Sequence, residues 1–243
     1  MSVEEVNLNG SAASERAESP LAHFLTAAWR NAQLSIDRHH EHFEALAEID
    51  VIFNILTAFS DESRERVARS MLIQTHGALR AASLLALSGQ VAESYSLMRT
   101  ALRAAMHGVF MAGDEERQRI WLARVDDDRS ADLKRTTFAN GLMVRHLRQL
   151  DAATAGIYER LHHRTIDRGL HANCHGGGSE NDAGSSAESG CDDFALDDEV
   201  QRSALRSVAQ IGICTLSMFY YVYGDLFRKH KLDDRLAKLR HGH

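Results

Sequence analysis

A single proline, Pro20, occurs in a chain of 243 residues, against a usual share of about 5%. Proline-built turns and edge strands are therefore nearly excluded, and long helices become the favoured reading. Cysteine is scarce as well. Its three residues are odd in number and widely spread, so they form no disulfide framework. Long apolar runs are missing. The longest, Val208 to Gly224, covers 17 residues and carries Gln210, whereas a spanning helix needs roughly 20. Excess positive charge is also absent. A net charge of −6 and a pI near 6.1 argue against a general affinity for nucleic acid, which needs a basic surface to displace counterions. The first residues, Met1 to Val6, show neither the basic stretch nor the apolar core of a secretory signal. The expected compartment is reduced and cytoplasmic, with no membrane partner. Serine-triad, P-loop and dinucleotide motifs are missing too, since Gly176-Gly177-Gly178 follows no predicted strand. No cofactor is expected.

What is present is helix. Ala, Leu, Arg and Glu dominate, residues that lose little rotamer freedom in a helix. Residues 1–18 are polar, acidic and without period, and read as a disordered arm. Ser19-Pro20 then supplies an N-cap and a first-position proline. A long helical stretch runs to about Phe59, broken once, and a second helix follows from Ser60-Asp61-Glu62-Ser63 to Gly89. The third, 90–112, has the cleanest pattern. Val91, Tyr95, Met98, Leu102, Ala105 and Val109 alternate spacings of four and three, which places them on one stripe. Gly113-Asp114 ends it and opens a short helix with Ile120, Trp121 and Val125. A turn over 126–130, with Ser130 as N-cap, leads to helices at about 131–150 and 152–168. Residues 173–195 hold five glycines and four serines and show no hydrophobic period, as in a lid or a disordered loop. The last main helix, about 197–228, is apolar nearly all round from Val208 to Val222, as expected of a central element. The predicted fold is all-α: one domain over 19–243, a bundle of about six to seven helices with a buried C-terminal helix and one long Gly/Ser-rich loop.

Four blocks carry a resemblance to a known group. They are Thr75 to Ala82, Ser94 to Arg103, Ile120 to Asp127 and Arg164 to Asn173, with Gln210 to Leu216 of the final helix also similar. Together they cover roughly residues 70–225. The set resembles a family of uncharacterised bacterial all-helical proteins, distantly similar to HEPN-type domains. The resemblance implies an acidic residue where Arg103 stands and a proline where Ala172 stands, and the chain departs at both. It implies a fold more than a function.

The stretch from Tyr158 to His171 gathers Arg, His and Asp where the helical pattern gives way, so it is the first place to look for a site. In HEPN-type ribonuclease chemistry a histidine acts on the 2′-hydroxyl proton and an arginine stabilises phosphate charge. Arg164 and His171 have a suitable separation. So do Arg69 and His76, Arg16 and His23, Arg168 and His175, and Arg235 and His241. With 24 Arg and 14 His in the chain, about four such pairs arise by chance, so the spacing carries no signal. His171, Cys174, His175 and Cys191 offer the nitrogen–sulfur mix that Zn²⁺ prefers, but the remote Cys191 fixes no geometry. His39 and His42, with Asp37 and Glu41, share a helix face of a kind that binds transition metals, although a solvated face explains them as well. No metal ligand is assigned. The run Arg228 to Lys231, with Arg235, Lys238 and Arg240, suits the negative end of a helix dipole.

The preferred candidate is a polar pocket. Arg99, Arg103 and His107 are spaced by four and line one side of the 90–112 stripe, while Asp167 and His171 are also four apart. A flanking arginine needs a carboxylate, so Arg99 is expected to pair with Asp167 beneath a 173–195 lid, with His171 beside them. The simpler alternative is a structural ion pair between two helices. The functional expectation is a binding or interaction module that self-associates through helix 90–112. The alternatives are an HEPN-like RNA-cleaving or phage-defence toxin domain, and a metal-binding protein using the 171–191 loop.

Overall fold

The computed structural model describes residues 19–60, 66–123, 127–175 and 198–242, with side chains in the third stretch described through Gly169. The expectations for residues 1–18 and for most of the 173–195 segment lie outside them. The described residues are all-helical: α1 (Pro20–Arg38), α2 (His40–Phe59), α3 (Arg66–Ser88), α4 (Val91–Met111), α5 (Glu115–Leu122), α6 (Asp128–Thr137), α7 (Asn140–Leu150), α8 (Ala152–His175), α9 (Asp198–Lys229) and α10 (Leu232–Gly242). This is more than the six to seven helices expected. The extra elements come from breaks that local sequence signals too weakly.

Where the local chemistry is strong, helix ends fall as expected. Ser19 Oγ accepts from the Ala22 backbone N–H at 3.1 Å, with Pro20 in the first turn. Gly89 and Gly113 adopt positive φ, 94° and 71°, a conformation that glycine enters without a Cβ penalty. Asp114 then caps α5 by accepting from Arg117 N–H at 2.9 Å.

Three expectations are corrected. The N-cap of α6 is Asp127, not Ser130. Asp127 Oδ1 accepts from Ser130 N–H at 2.7 Å and Ser130 Oγ reaches back to Asp127 N–H, a reciprocal capping box. The single helix expected over 131–150 is two, parted at Phe138 and Ala139. Phe138 leaves the helix to pack on Trp121, with ring centroids 5.1 Å apart, and on Phe110 at 5.9 Å. Finally, α8 does not stop near residue 168 but continues to His175. Gly169 lowers helix propensity, yet here it brings α8 close to α4: a Cβ at this position would sit 3.7 Å from Tyr95 Cβ.

The core centres on α4 and α9. Helix α4 packs against α3, α7, α8 and α9, while α9 packs against α2, α3, α4, α8 and α10. Val91, Tyr95, Met98, Leu102, Ala105 and Val109 are all buried in this chain's own core. The stripe offered for self-association is thus covered by the bundle itself. Close helix approach is supported by glycine: a Cβ on Gly212 would lie 2.8 Å from Ile49 Cγ2, so α9 rests directly on α2. Beyond a kink at Tyr223 (φ −118°, ψ 27°) and a left-handed Lys231 (φ 53°), the chain turns back. Helix α10 folds against α9, with Leu232, Leu236 and Leu239 buried.

Candidate functional site

A cavity of about 450 Å³ lies between α8, α9 and α10. It is assembled by helical periodicity. On α8, Thr154, Ile157, Leu161 and Arg164 recur at three- and four-residue steps, with Arg160 beside them. On α9, Gln210, Ile213, Cys214 and Ser217 do the same, and Arg240 of α10 reaches in from the end. Leu161, Cys214, Ser217 and Thr154 are buried and form the floor, whereas Arg160, Arg164 and Arg240 are exposed at the mouth.

The three guanidiniums meet neutral oxygens or none. Arg164 Nη1 donates to Gln210 Oε1 at 2.8 Å, and Arg240 Nη2 donates to Ser217 Oγ at 2.7 Å. No carboxylate lies within ion-pair distance of Arg160, Arg164 or Arg240 among the described residues. Other arginines of the bundle are paired: Arg80 with Asp50, Arg117 with Asp114, Arg148 with Glu159 and Arg235 with Glu48.

One carboxylate, Asp151, does line the cavity, but it is committed to the start of α8. It accepts from Ala153 N–H at 2.8 Å, Thr154 N–H at 3.2 Å, Thr154 Oγ1 at 2.6 Å and Tyr221 Oη at 3.0 Å. The Thr154 hydroxyl and these other donors hold its carboxyl below the usual range.

No imidazole lines the cavity. Its one thiol, Cys214, is buried, and burial pushes that thiol up to about 12 although Arg240 and Arg160 lie close enough to oppose the shift. Cys214 is therefore protonated and a poor nucleophile. The lining thus combines arginines, hydroxyls, an amide and a protonated thiol with apolar side chains.

The sequence-derived residues fall elsewhere. Arg99 is half-buried on α4, and Asp167 is exposed on α8, in a shallow groove that continues outward from Arg160 and Arg164 past His163 and Arg168. No ion pair joins Arg99 to Asp167. The side chain of His171 lies outside the described residues, as do those of Cys174, His175 and Cys191. What Arg99 and Arg103 meet on α8 is His162. Burial lowers its proton affinity first, and His163, Arg103 and Arg99 lower it further. The third member of the line, His107, is buried. Its Nδ1–H donates to the Arg103 carbonyl at 2.8 Å and its ring lies 4.7 Å from that of Trp121. Burial keeps His107 in the neutral form. Arg103, His107, Gln74 and Trp121 border a smaller hollow of about 250 Å³.

His39, one of the metal candidates, is buried at the break between α1 and α2. Its Nε2 lies 3.3 Å from Gln201 Oε1 and 3.4 Å from Asp198 Oδ1. Gln201 in turn donates to Ser35 Oγ and to the Ala86 and Leu87 carbonyls at 2.9–3.0 Å, a structural knot. Among the described residues no group of three or more His, Cys, Asp or Glu side chains is placed to hold a metal ion. No helix of these residues is long and apolar enough to cross a membrane.

Sequence reasoning reached α8 but weighed Arg164 as a ribonuclease residue and Arg240 as a dipole cation. The overlooked signal was the pair Gln210 and Ser217, seven apart within the mainly apolar stretch from Val208 to Val222, which puts two polar side chains on one face. No family model matches the chain, and neither a curated protein nor a solved structure matches it significantly.

Proposed function

We propose that this protein is a binding module whose ligand is a small molecule held between α8, α9 and α10. The observation that carries the reading is the cavity of about 450 Å³ bounded by three helices, with three arginines on its lining. Its volume falls in the roughly 300–1,000 Å³ typical of ligand sites. Mixed lining supports it: apolar Ile157, Leu161 and Ile213 with a few hydroxyl, amide and guanidinium groups is the pattern of a site that holds and orients a small molecule. The absence of imidazole from that lining and the protonated thiol favour binding over catalysis.

The test is ligand-induced stabilisation. A chemically mixed small-molecule library is screened by thermal shift on the wild type and on Ile213→Trp, a variant that fills the cavity from its α9 wall. Ligands that raise the wild-type Tm and lose the effect in a folded Ile213→Trp support the reading. Ligands that stabilise both proteins equally, or a library with no stabilising member, refute it.

A further inference from the structure

We infer that the ligand of this cavity is an amphiphilic oxyanion, a carboxylate or phosphate monoester carrying an apolar chain. This rests on the cavity being a binding site and adds the chemistry of its occupant. Three guanidiniums from two separate helices converge on one mouth, in a chain whose net charge is −6. Arg160 and Arg240 both act on the Cys214 thiol, which places them over the same wall. Arg164 and Arg240 spend one N–H each on neutral oxygens of Gln210 and Ser217. A guanidinium has five N–H donors in a planar fork, so most of theirs remain for a ligand. Carboxylate and phosphate match that fork in two-point fashion.

The one acidic group of the lining, Asp151, has its oxygens occupied by four donors of its own. Asp151 stays ionised but is turned to those donors, and three guanidiniums against this one carboxylate leave the lining with an excess of positive charge. The rest of the lining has a large apolar share: Ile157, Leu161 and Ile213 border the space together with the protonated Cys214 thiol. A charged head on the arginines and an apolar chain along Ile157, Leu161 and Ile213 fit this mixture, whereas a fully polar anion leaves those side chains uncovered. Carboxylate and phosphate heads share the recognition chemistry, and the experiment separates them.

The test measures binding to the full chain by calorimetry, with octanoate, octyl phosphate, octanol, octylammonium, acetate and inorganic phosphate as probes. Octanoate or octyl phosphate should bind at least about tenfold more tightly than octanol, as charge-assisted hydrogen bonds require. Octylammonium and the two small anions should bind more weakly than either. The tighter of the two amphiphiles identifies the head group. Arg164→Gln combined with Arg240→Gln should remove the advantage over octanol while leaving octanol binding within about threefold. A second readout needs no variant: raising salt from low to high should weaken octanoate and spare octanol. Octanol binding as tightly as the anions, and lost in Ile213→Trp, overturns the anionic assignment while keeping the cavity as a site. Inorganic phosphate binding as tightly as octyl phosphate overturns the amphiphilic part. No binding by any eight-carbon probe overturns the inference, and the thermal-shift screen on the wild type and Ile213→Trp decides separately whether the cavity is a site.

Discussion

His76 on α3 places its Nε2 2.6 Å from Asp50 Oδ1 on α2. The imidazole is 7% exposed and lies against Phe53, ring centroids 5.2 Å apart and 13° from parallel. Burial, with the nearby Arg80 charge, lowers its proton affinity more than the carboxylate raises it, so the neutral ring is favoured and donates Nε2–H. The charge of Asp50 is met instead by Arg80, with contacts of 2.6 Å and 3.0 Å, and Asn54 donates a further hydrogen bond at 2.8 Å. These groups fasten α2 to α3, beside the site where α9 lies on α2.

The two partners of Asp50 differ in what their loss costs. Replacing Asp50 by alanine strands the buried His76 N–H, and an unsatisfied buried donor costs about 1–3 kcal/mol. Arg80→Ala removes a half-exposed surface pair, worth about 0–1 kcal/mol. Urea unfolding should rank Asp50→Ala well below Arg80→Ala in stability. Equal losses would contradict the assignment of His76 as the buried, dependent partner.

Stability should fall as the solution is acidified from pH 7.5 to 5. Burial is the leading cause that lowers the proton affinities of His76, His107, His146 and His162 in the folded state. Below about 6.5 the unfolded chain then binds protons that the folded chain refuses, so unfolding is favoured as pH drops. Asp50 adds a second loss at lower pH. Arg80 chiefly holds it at about 2, against an ordinary value of 3.8, so its contribution is complete above the unfolded value and disappears as pH falls towards 2. Urea midpoints measured from pH 7.5 down to about 2 check both steps, and a midpoint that stays level from pH 7.5 to 5.5 rules out the histidine contribution.

Gly212→Ala should destabilise the bundle although alanine is the better helix former. The added Cβ would fall 2.8 Å from Ile49 Cγ2 and 3.0 Å from Ile49 Cδ1, on a side chain only 4% exposed. Overpacking of this kind costs about 1–3 kcal/mol. A rise in Tm would show that α9 and α2 are less tightly apposed than these distances require.

Cys214 should resist thiol reagents while the protein is folded. In a Cys174→Ser, Cys191→Ser background it is the one remaining thiol. A pKa of about 12 leaves roughly one thiolate in 10⁴ at pH 8, against roughly a quarter for a free cysteine. An aromatic disulfide reagent should label it slowly in buffer and rapidly in denaturing urea. Fast labelling in buffer would mean an accessible, activated thiol and would reopen a chemical role for the cavity.

Much of the fold was readable because it rests on local chemistry. Ser19 and Pro20, the Gly113-Asp114 turn and the stripe from Val91 to Val109 act within a few residues of chain, and each is where its spacing places it. The misread ends, at Phe138 and past Gly169, are decided by an aromatic cluster and by the approach of Tyr95. Neither has a trace in the neighbouring sequence. The same holds for the site. The Tyr158–His171 stretch drew attention to α8, but the Arg99–Asp167 pairing assumed for it is not formed, and the face of α8 that borders the cavity starts earlier, at Thr154.

Composition, proline scarcity and apolar periodicity by themselves determined an all-helical chain, because each acts through the backbone within a turn or two. The cavity required more. Arg240 stands 76 positions after Arg164, and whether a terminal cation faces water or a shared mouth depends on how the chain turns at Tyr223 and Lys231. That turn sets α10 against α9 and brings the three arginines together. Such long-range placement is fixed by packing, and the tertiary structure alone decided it.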